Sequence, residues 1–215
     1  MEDQQTMNRT LAIAWREAWA NRRFRIKTII GSIVFLGILI SFPYFFGLIE
    51  LREGIVLNDP ILKLVPPVDV SALTFIFIWS MIAYFLFRCI QNPSFFMLGF
   101  CGMILLFLSR MITISLCPLN PPEGLIPLID PVSNLFYGGP HVFMTKDLFY
   151  SGHTSTQFMI FLCFSKRRDK GLALFSSIVV GILVLVQHVH YSIDVIGAFL
   201  LTYFVYLLGR KIADY

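Results

Sequence analysis

The chain has 215 residues, of which 57% are hydrophobic and 14% charged, with a formal net charge of +4 and a mean hydropathy of +0.75. A soluble domain carries about 25% charged residues, so the composition excludes a freely soluble globular domain. The modest positive charge is not the footprint of a nucleic-acid binder; the expected partner is the bilayer, and where the charges sit matters more than their sum.

In chain order, residues 1–27 are polar and basic and lack a signal-peptide pattern. Leu11, Trp15, Ala18 and Trp19 recur there at helical spacing, flanked by Arg9, Arg16 and Arg23. This predicts a cytoplasmic amphipathic helix lying on the inner leaflet. Residues 28–215 form one membrane domain, with apolar segments at about 28–49, 70–88, 94–116, 148–164, 171–189 and 192–209. A helix needs about 20 apolar residues to cross the hydrocarbon core. Pro43 falls inside the first segment, where a membrane helix tolerates it as a kink. The fourth is short and opens with Ser151, Gly152, His153 and Thr154, a polar run costly in lipid unless turned toward protein. The four cysteines form no CxxC pair; three read as helix or helix-end packing residues, and Cys117, in a polar loop, reads as a free thiol.

The predicted fold is all-α, a polytopic bundle of six transmembrane helices with both termini cytoplasmic. With the N-terminus inside, 13 of the 17 basic residues lie on the inner side, leaving Arg52, Lys63, Arg110 and Lys146 outside. All four histidines, His141, His153, His188 and His190, then fall in the outer half, as do Asp69, Glu123, Asp147 and Asp194. Ionisable residues at membrane depth are costly and mark functional sites. Their convergence on one face carries more weight than any one alone.

Two segments hold the chemistry. In His190-Tyr-Ser-Ile-Asp194, the histidine and aspartate are four apart and share a helix face. A carboxylate there accepts the Nδ1 proton and leaves Nε2 as nucleophile or base. In Asp147-Leu-Phe-Tyr-Ser151-Gly152-His153-Thr154, the glycine lets backbone approach a ligand closely and the helix N-terminus favours an anion. A second histidine beside such an anion can protonate a leaving group.

Asp147-Leu-Phe-Tyr-Ser-Gly-His-Thr followed by His190-Tyr-Ser-Ile-Asp-Val resembles the third and fourth signature motifs of the sphingomyelin synthase branch of the type 2 phosphatidic acid phosphatase superfamily. Pro66-Pro67-Val68-Asp69 is similar to that branch's first motif, a proline-rich stretch ending in Asp, and Arg110-Met-Ile-Thr113 to the start of its second motif. The general phosphatase pattern Lys-x6-Arg-Pro is absent, and no Ser-Arg pair precedes the last histidine. The resemblance implies six spans and transfer of a phospho-headgroup from a phospholipid to a lipid alcohol such as ceramide or diacylglycerol. It implies His190 as nucleophile, Asp194 as its orienting carboxylate, and His153 as acid and then base. Arg110 and Lys146 would balance phosphate charge, with Asp69, Glu123, Asp147, Ser151 and Gly152 as further substrate-binding candidates. No metal or other cofactor is required, because neutral histidine is itself nucleophilic. The site would face the non-cytoplasmic side, which is the periplasm in a bacterium.

Bland alternatives stand beside these roles. Arg110 and Lys146 read equally as snorkelling residues, Asp147 as a helix cap, and His188 as a residue facing away from the site. Tyr191 and His141 read as interface-belt and loop residues. Water in place of the lipid alcohol gives a lipid phosphatase or phosphodiesterase with the same three catalytic residues. A different class, a transporter or a zinc site built on His153, His190 and Asp194, fits the ligand types but lacks the inverted repeats and broken midplane helices of transporters.

Overall fold

The computed structural model describes residues 2–128 and 144–214, with side chains from residue 9 onward. Among the described residues the chain is all-helical. The helices are α1 (Glu2–Ala20), α2 (Arg22–Leu51), α3 (Ser71–Gln91), α4 (Pro93–Leu116), α5 (Gly152–Cys163), α6 (Arg167–Val186) and α7 (Ser192–Ala213), with a 3-10 turn at Leu62–Leu64. Local chemistry sets their starts. Asn21 Oδ1 accepts from the amides of Arg23 and Phe24 to open α2, and Asn92 does the same for α4, where Pro93 fills the first position.

Among the described residues, five helices, α2, α3, α4, α6 and α7, are long and apolar enough to cross a membrane. The fourth predicted segment differs. Its helix begins only at Gly152, because Ser151 caps it and the preceding residues run in non-helical backbone. At 1.5 Å per residue, twelve residues rise about 18 Å, short of the hydrocarbon core of about 30 Å. This short helix is nevertheless the centre of the bundle, packed against α3, α4, α6 and α7. Met159 and Ile160 are fully buried, and Gln157, also buried, accepts from Ser176 Oγ at 2.9 Å. The glycine pair Gly102 and Gly209 lets α4 and α7 touch: a Cβ at position 209 would stand 3.2 Å from Gly102 Cα. By contrast α2 lies at the periphery, with Ile33 and Ile40 more than half exposed along its side.

The helices alternate in direction, so two sets of ends gather at opposite poles. At one, Trp15 Nε1 donates to Ile90 O at 2.7 Å, Lys27 Nζ to Ile212 O at 2.7 Å, and Arg88 pairs with Asp169. Helix α1 is therefore folded onto the bundle, its Trp15 packed between Phe24 and Phe96. At the other pole, Gln187 Nε2 donates to Ser71 Oγ at 2.7 Å and Asn120 Nδ2 to Gly54 O at 2.8 Å, knitting the loops over the helix ends. Arg110, Asp147, Ser151, His153, His188, His190 and Asp194 lie at this second pole.

Candidate active site

Helix α7 begins with the residues that matter most. Asp194 Oδ2 accepts from the Tyr191 amide at 2.9 Å, satisfying a helix-start donor, and the same oxygen lies 3.3 Å from His190 Nδ1. With Nδ1–H donating to the carboxylate, the Nε2 lone pair is left for chemistry. Asp194 is fully buried and His190 is 3% exposed. The other carboxylate oxygen, Asp194 Oδ1, has no hydrogen-bond partner among the described residues. Leaving a buried acceptor unsatisfied costs about 1–3 kcal/mol, a cost more in keeping with a working group than with a packing one.

The start of α5 meets this turn directly. The Ser151 amide donates to Asp194 O at 3.1 Å, and Ser151 Oγ accepts from the Thr154 amide. His153 then stands with its ring centroid 6.1 Å from that of His190, edge to face, and 6.4 Å from Phe75. Two imidazoles, a carboxylate and a helix N-terminus thus converge from two helices.

Helix α4 supplies the clamp that holds residues 147–152. Arg110, 8% exposed, donates from Nε to Tyr150 O at 3.0 Å and from Nη2 to Asp147 Oδ1 at 2.5 Å. Its guanidinium lies over Gly152, where a Cβ would stand 2.5 Å from Nη1. Ser109 Oγ sits 2.6 Å from the Tyr150 hydroxyl, and Thr113 Oγ1 is 3.1 Å from Phe149 O. The glycine therefore admits an arginine rather than open space, and Asp147 is the arginine's ion-pair partner.

Asp147, Arg110, Ser151, Gly152, His153, His190 and Asp194 are thus brought together, while Lys146, Asp69 and Glu123 stand apart. Lys146 Nζ donates to Arg52 O, and its amide to Glu50 Oε1 at 2.8 Å. Asp69 is exposed and accepts from the amide and hydroxyl of Ser71 at the start of α3, which holds its carboxyl below the ordinary range. Glu123 is exposed, and its carbonyl meets His188 Nδ1 at 2.9 Å, while His188 Nε2 lies 2.8 Å from Val65 O. A cavity of about 670 Å³ lies beside the turn, lined by Asp59, Lys63, Glu123, His188 and Tyr191 among others. His141 lies outside the described residues. Among the described residues no group of three or more His, Cys, Asp or Glu is placed to hold a metal ion.

The sequence reading passed over Asp59 and Tyr191 as parts of this site. Tyr191 OH donates to Asn120 O at 2.9 Å and accepts from the Leu57 amide at 3.1 Å. Asp59 Oδ2 accepts from the Ser192 amide at 2.6 Å. The one local signal was Asp59-Pro60, an aspartate of the kind that closes turns.

Residues 145–211 match the family model described as PAP2 superfamily C-terminal. The match supports membership in the PAP2 superfamily. It spans α5, α6 and nearly all of α7, and with them His153, His190 and Asp194. Members of this superfamily are phosphatases and phosphotransferases, which supports a lipid phosphatase or phosphotransferase type of activity. No curated protein and no solved structure matches the chain.

Proposed function

We propose that the chain is a membrane phosphotransferase that moves a phospho-headgroup from a phospholipid to a lipid alcohol through a phospho-histidine. The observation that carries this reading is the His190–Asp194 contact with His153 facing it across the junction of two helix starts. His190 Nε2 attacks the phosphorus of the donor, and the bond from phosphorus to the diacylglycerol oxygen breaks. His153 gives that oxygen its proton. In the second half, His153 takes the proton of the acceptor hydroxyl, whose oxygen attacks phosphorus as the bond to His190 breaks. Asp194 keeps His190 in the reactive tautomer throughout and offsets its charge. Arg110 holds the segment that carries His153, and the N-terminal amides of α5 favour the phosphate charge.

Transfer, rather than hydrolysis, is supported by the resemblance of both motifs to the sphingomyelin synthase branch; water as acceptor would use the same three residues. The six-span topology belongs to the same reading. Residues 144–151 complete the fourth crossing with α5, since non-helical backbone is tolerated at membrane depth where protein covers it. Leu148, Tyr150 and Ser151 are buried accordingly. The pole with Arg88 and Arg210 then faces the cytoplasm and the site faces outward.

The test is mass spectrometry of lipids formed by the purified protein from headgroup-labelled phosphatidylcholine or phosphatidylethanolamine, with and without ceramide or diacylglycerol. Label in a new lipid only when the acceptor is present supports transfer. Label released only as a water-soluble phosphoester places the enzyme with the hydrolases, and no turnover of either donor contradicts the reading.

A further inference from the structure

Asp59 lies in the loop after α2, outside the stretch that matches the superfamily. Its carboxylate makes directed contacts to backbone amides and to one hydroxyl. Oδ1 accepts from the amides of Ile61 at 2.9 Å and Leu62 at 3.3 Å, closing its own loop onto the 3-10 turn. The same oxygen lies 3.2 Å from Ser192 Oγ, and Oδ2 accepts from the Ser192 amide at 2.6 Å. Ser192 is the first residue of α7, with His190 two before it and Asp194 two after. A carboxylate at this place satisfies a free helix-start amide and sits at the positive end of the helix dipole.

The loop grips the turn a second time through the Leu57 amide on the Tyr191 hydroxyl. Residues 190–194 are therefore held from inside by Asp194 and from outside by residues 57 and 59. The inner contact is at the long end of hydrogen-bond range, 3.3 Å between His190 Nδ1 and Asp194 Oδ2. A pair so loosely closed depends on the backbone around it for its alignment, and catalytic groups lose about 10²-fold for a displacement of about 1 Å.

We propose that Asp59 is a positioning residue for the His190–Asp194 pair, a role that rests on the reading of His190 as nucleophile. Asp59 touches neither histidine. It fixes the first turn of α7, and through it the angle at which His190 presents Nε2. Asn at this position keeps the shape but replaces one acceptor oxygen by an NH₂ group, which sets donor against donor at Ser192 or at the loop amides.

The experiment is a double-mutant cycle on the purified full chain, with 4-nitrophenyl phosphocholine as donor and diacylglycerol supplied as the acceptor that discharges His190. Asp59→Asn is expected to lower kcat about 10- to 100-fold with KM changed less than about twofold, the pattern of a misaligned reacting group. In an Asp194→Asn background, where orientation is already lost, the same change is expected to cost less than about threefold. Asp59→Glu, which keeps the carboxylate, is expected to recover much of the loss. Ser192→Ala, which removes only the 3.2 Å hydroxyl contact, is expected to lower kcat about three- to tenfold and keeps the test decisive if Asp59→Asn does not fold. An equal loss in both backgrounds, or native kcat in Asp59→Asn, overturns the positioning role. His190→Ala runs alongside. Its inactivity with a multiplicative cycle overturns only the role of Asp59, whereas retained turnover in His190→Ala overturns the nucleophile and this proposal together.

Discussion

The guanidinium of Arg110 lies against Gly152, so closely that a Cβ at 152 would stand 2.5 Å from Nη1 and 2.6 Å from Cζ. The glycine is what allows a buried arginine on α4 to hold Tyr150 O and Asp147 at once. Gly152→Ala is therefore expected to push the guanidinium off both partners, to cost about 1–3 kcal/mol of stability as an overpacked site does, and to slow turnover about 10²-fold by moving His153. Gly171, with nothing within 4 Å of its would-be Cβ, is the control. Gly171→Ala is expected to keep native activity and to gain up to about 1 kcal/mol from helix propensity. Thermal unfolding and kcat of the two variants, measured together, check this.

The Asp59 carboxylate gives the junction a defined pH dependence. Burial pushes its pKa up, but the bonds from the Ser192, Leu62 and Ile61 amides and the Ser192 hydroxyl together hold it below the ordinary carboxylate value. A group depressed in the folded state contributes stability that is present above its unfolded pKa, about 3.9, and lost as pH falls through the folded one. The melting temperature of the native chain should exceed that of Asp59→Asn by a constant margin from about pH 7 to 5. The margin should shrink toward pH 3, and a margin that widens in acid would reverse the sign.

Part of this site was legible in the sequence because its geometry is local. A histidine and aspartate four apart at a helix start meet whatever the rest of the chain does, and His190 and Asp194 do. Arg110 and Gly152 were each singled out for a ligand, and the structure shows them on one another. That contact depends on how α4 crosses α5, which no local pattern encodes. The contact of Asp59 with α7 was not legible locally, for its partner lies 133 residues away and a loop aspartate before proline reads only as a turn. The apolar run from residue 148 suggested helix throughout. Its first residues stay non-helical, with Arg110 and Thr113 taking the carbonyls of Tyr150 and Phe149, which a helix would have needed for itself.

Chelation separates the proposed nucleophile from a metal-bound water. Activity on a phospholipid donor is expected to persist after EDTA treatment and to gain nothing from added zinc, because His190 attacks phosphorus itself. Loss on chelation with rescue by zinc would assign the two histidines and the aspartate to metal binding instead.

The proposed topology is tested at the two poles. Lys63 is exposed in the loop beside the site, and Arg168 is exposed at the start of α6 on the opposite pole. Lys63→Cys is expected to react with an impermeant thiol reagent on intact cells, and Arg168→Cys only after lysis. The reverse pattern would put the site on the cytoplasmic face.

The division of labour between the two histidines is the central claim, and trapping the covalent intermediate tests it most directly. The purified chain is mixed with a 4-nitrophenyl phosphodiester, quenched in alkali, digested and analysed by mass spectrometry for phosphate on the peptide that contains residue 190. The native chain is expected to carry the label on His190, and His190→Ala to carry none and to show no turnover. His153→Ala is expected to label almost as well as the native chain with this good leaving group, while losing about 10²–10⁴-fold with a phospholipid donor that needs a proton. Asp194→Asn is expected to label about 10⁴-fold more slowly, the scale of neutralising a triad's orienting carboxylate. Label on His153, or full turnover in His190→Ala, would contradict the assignment.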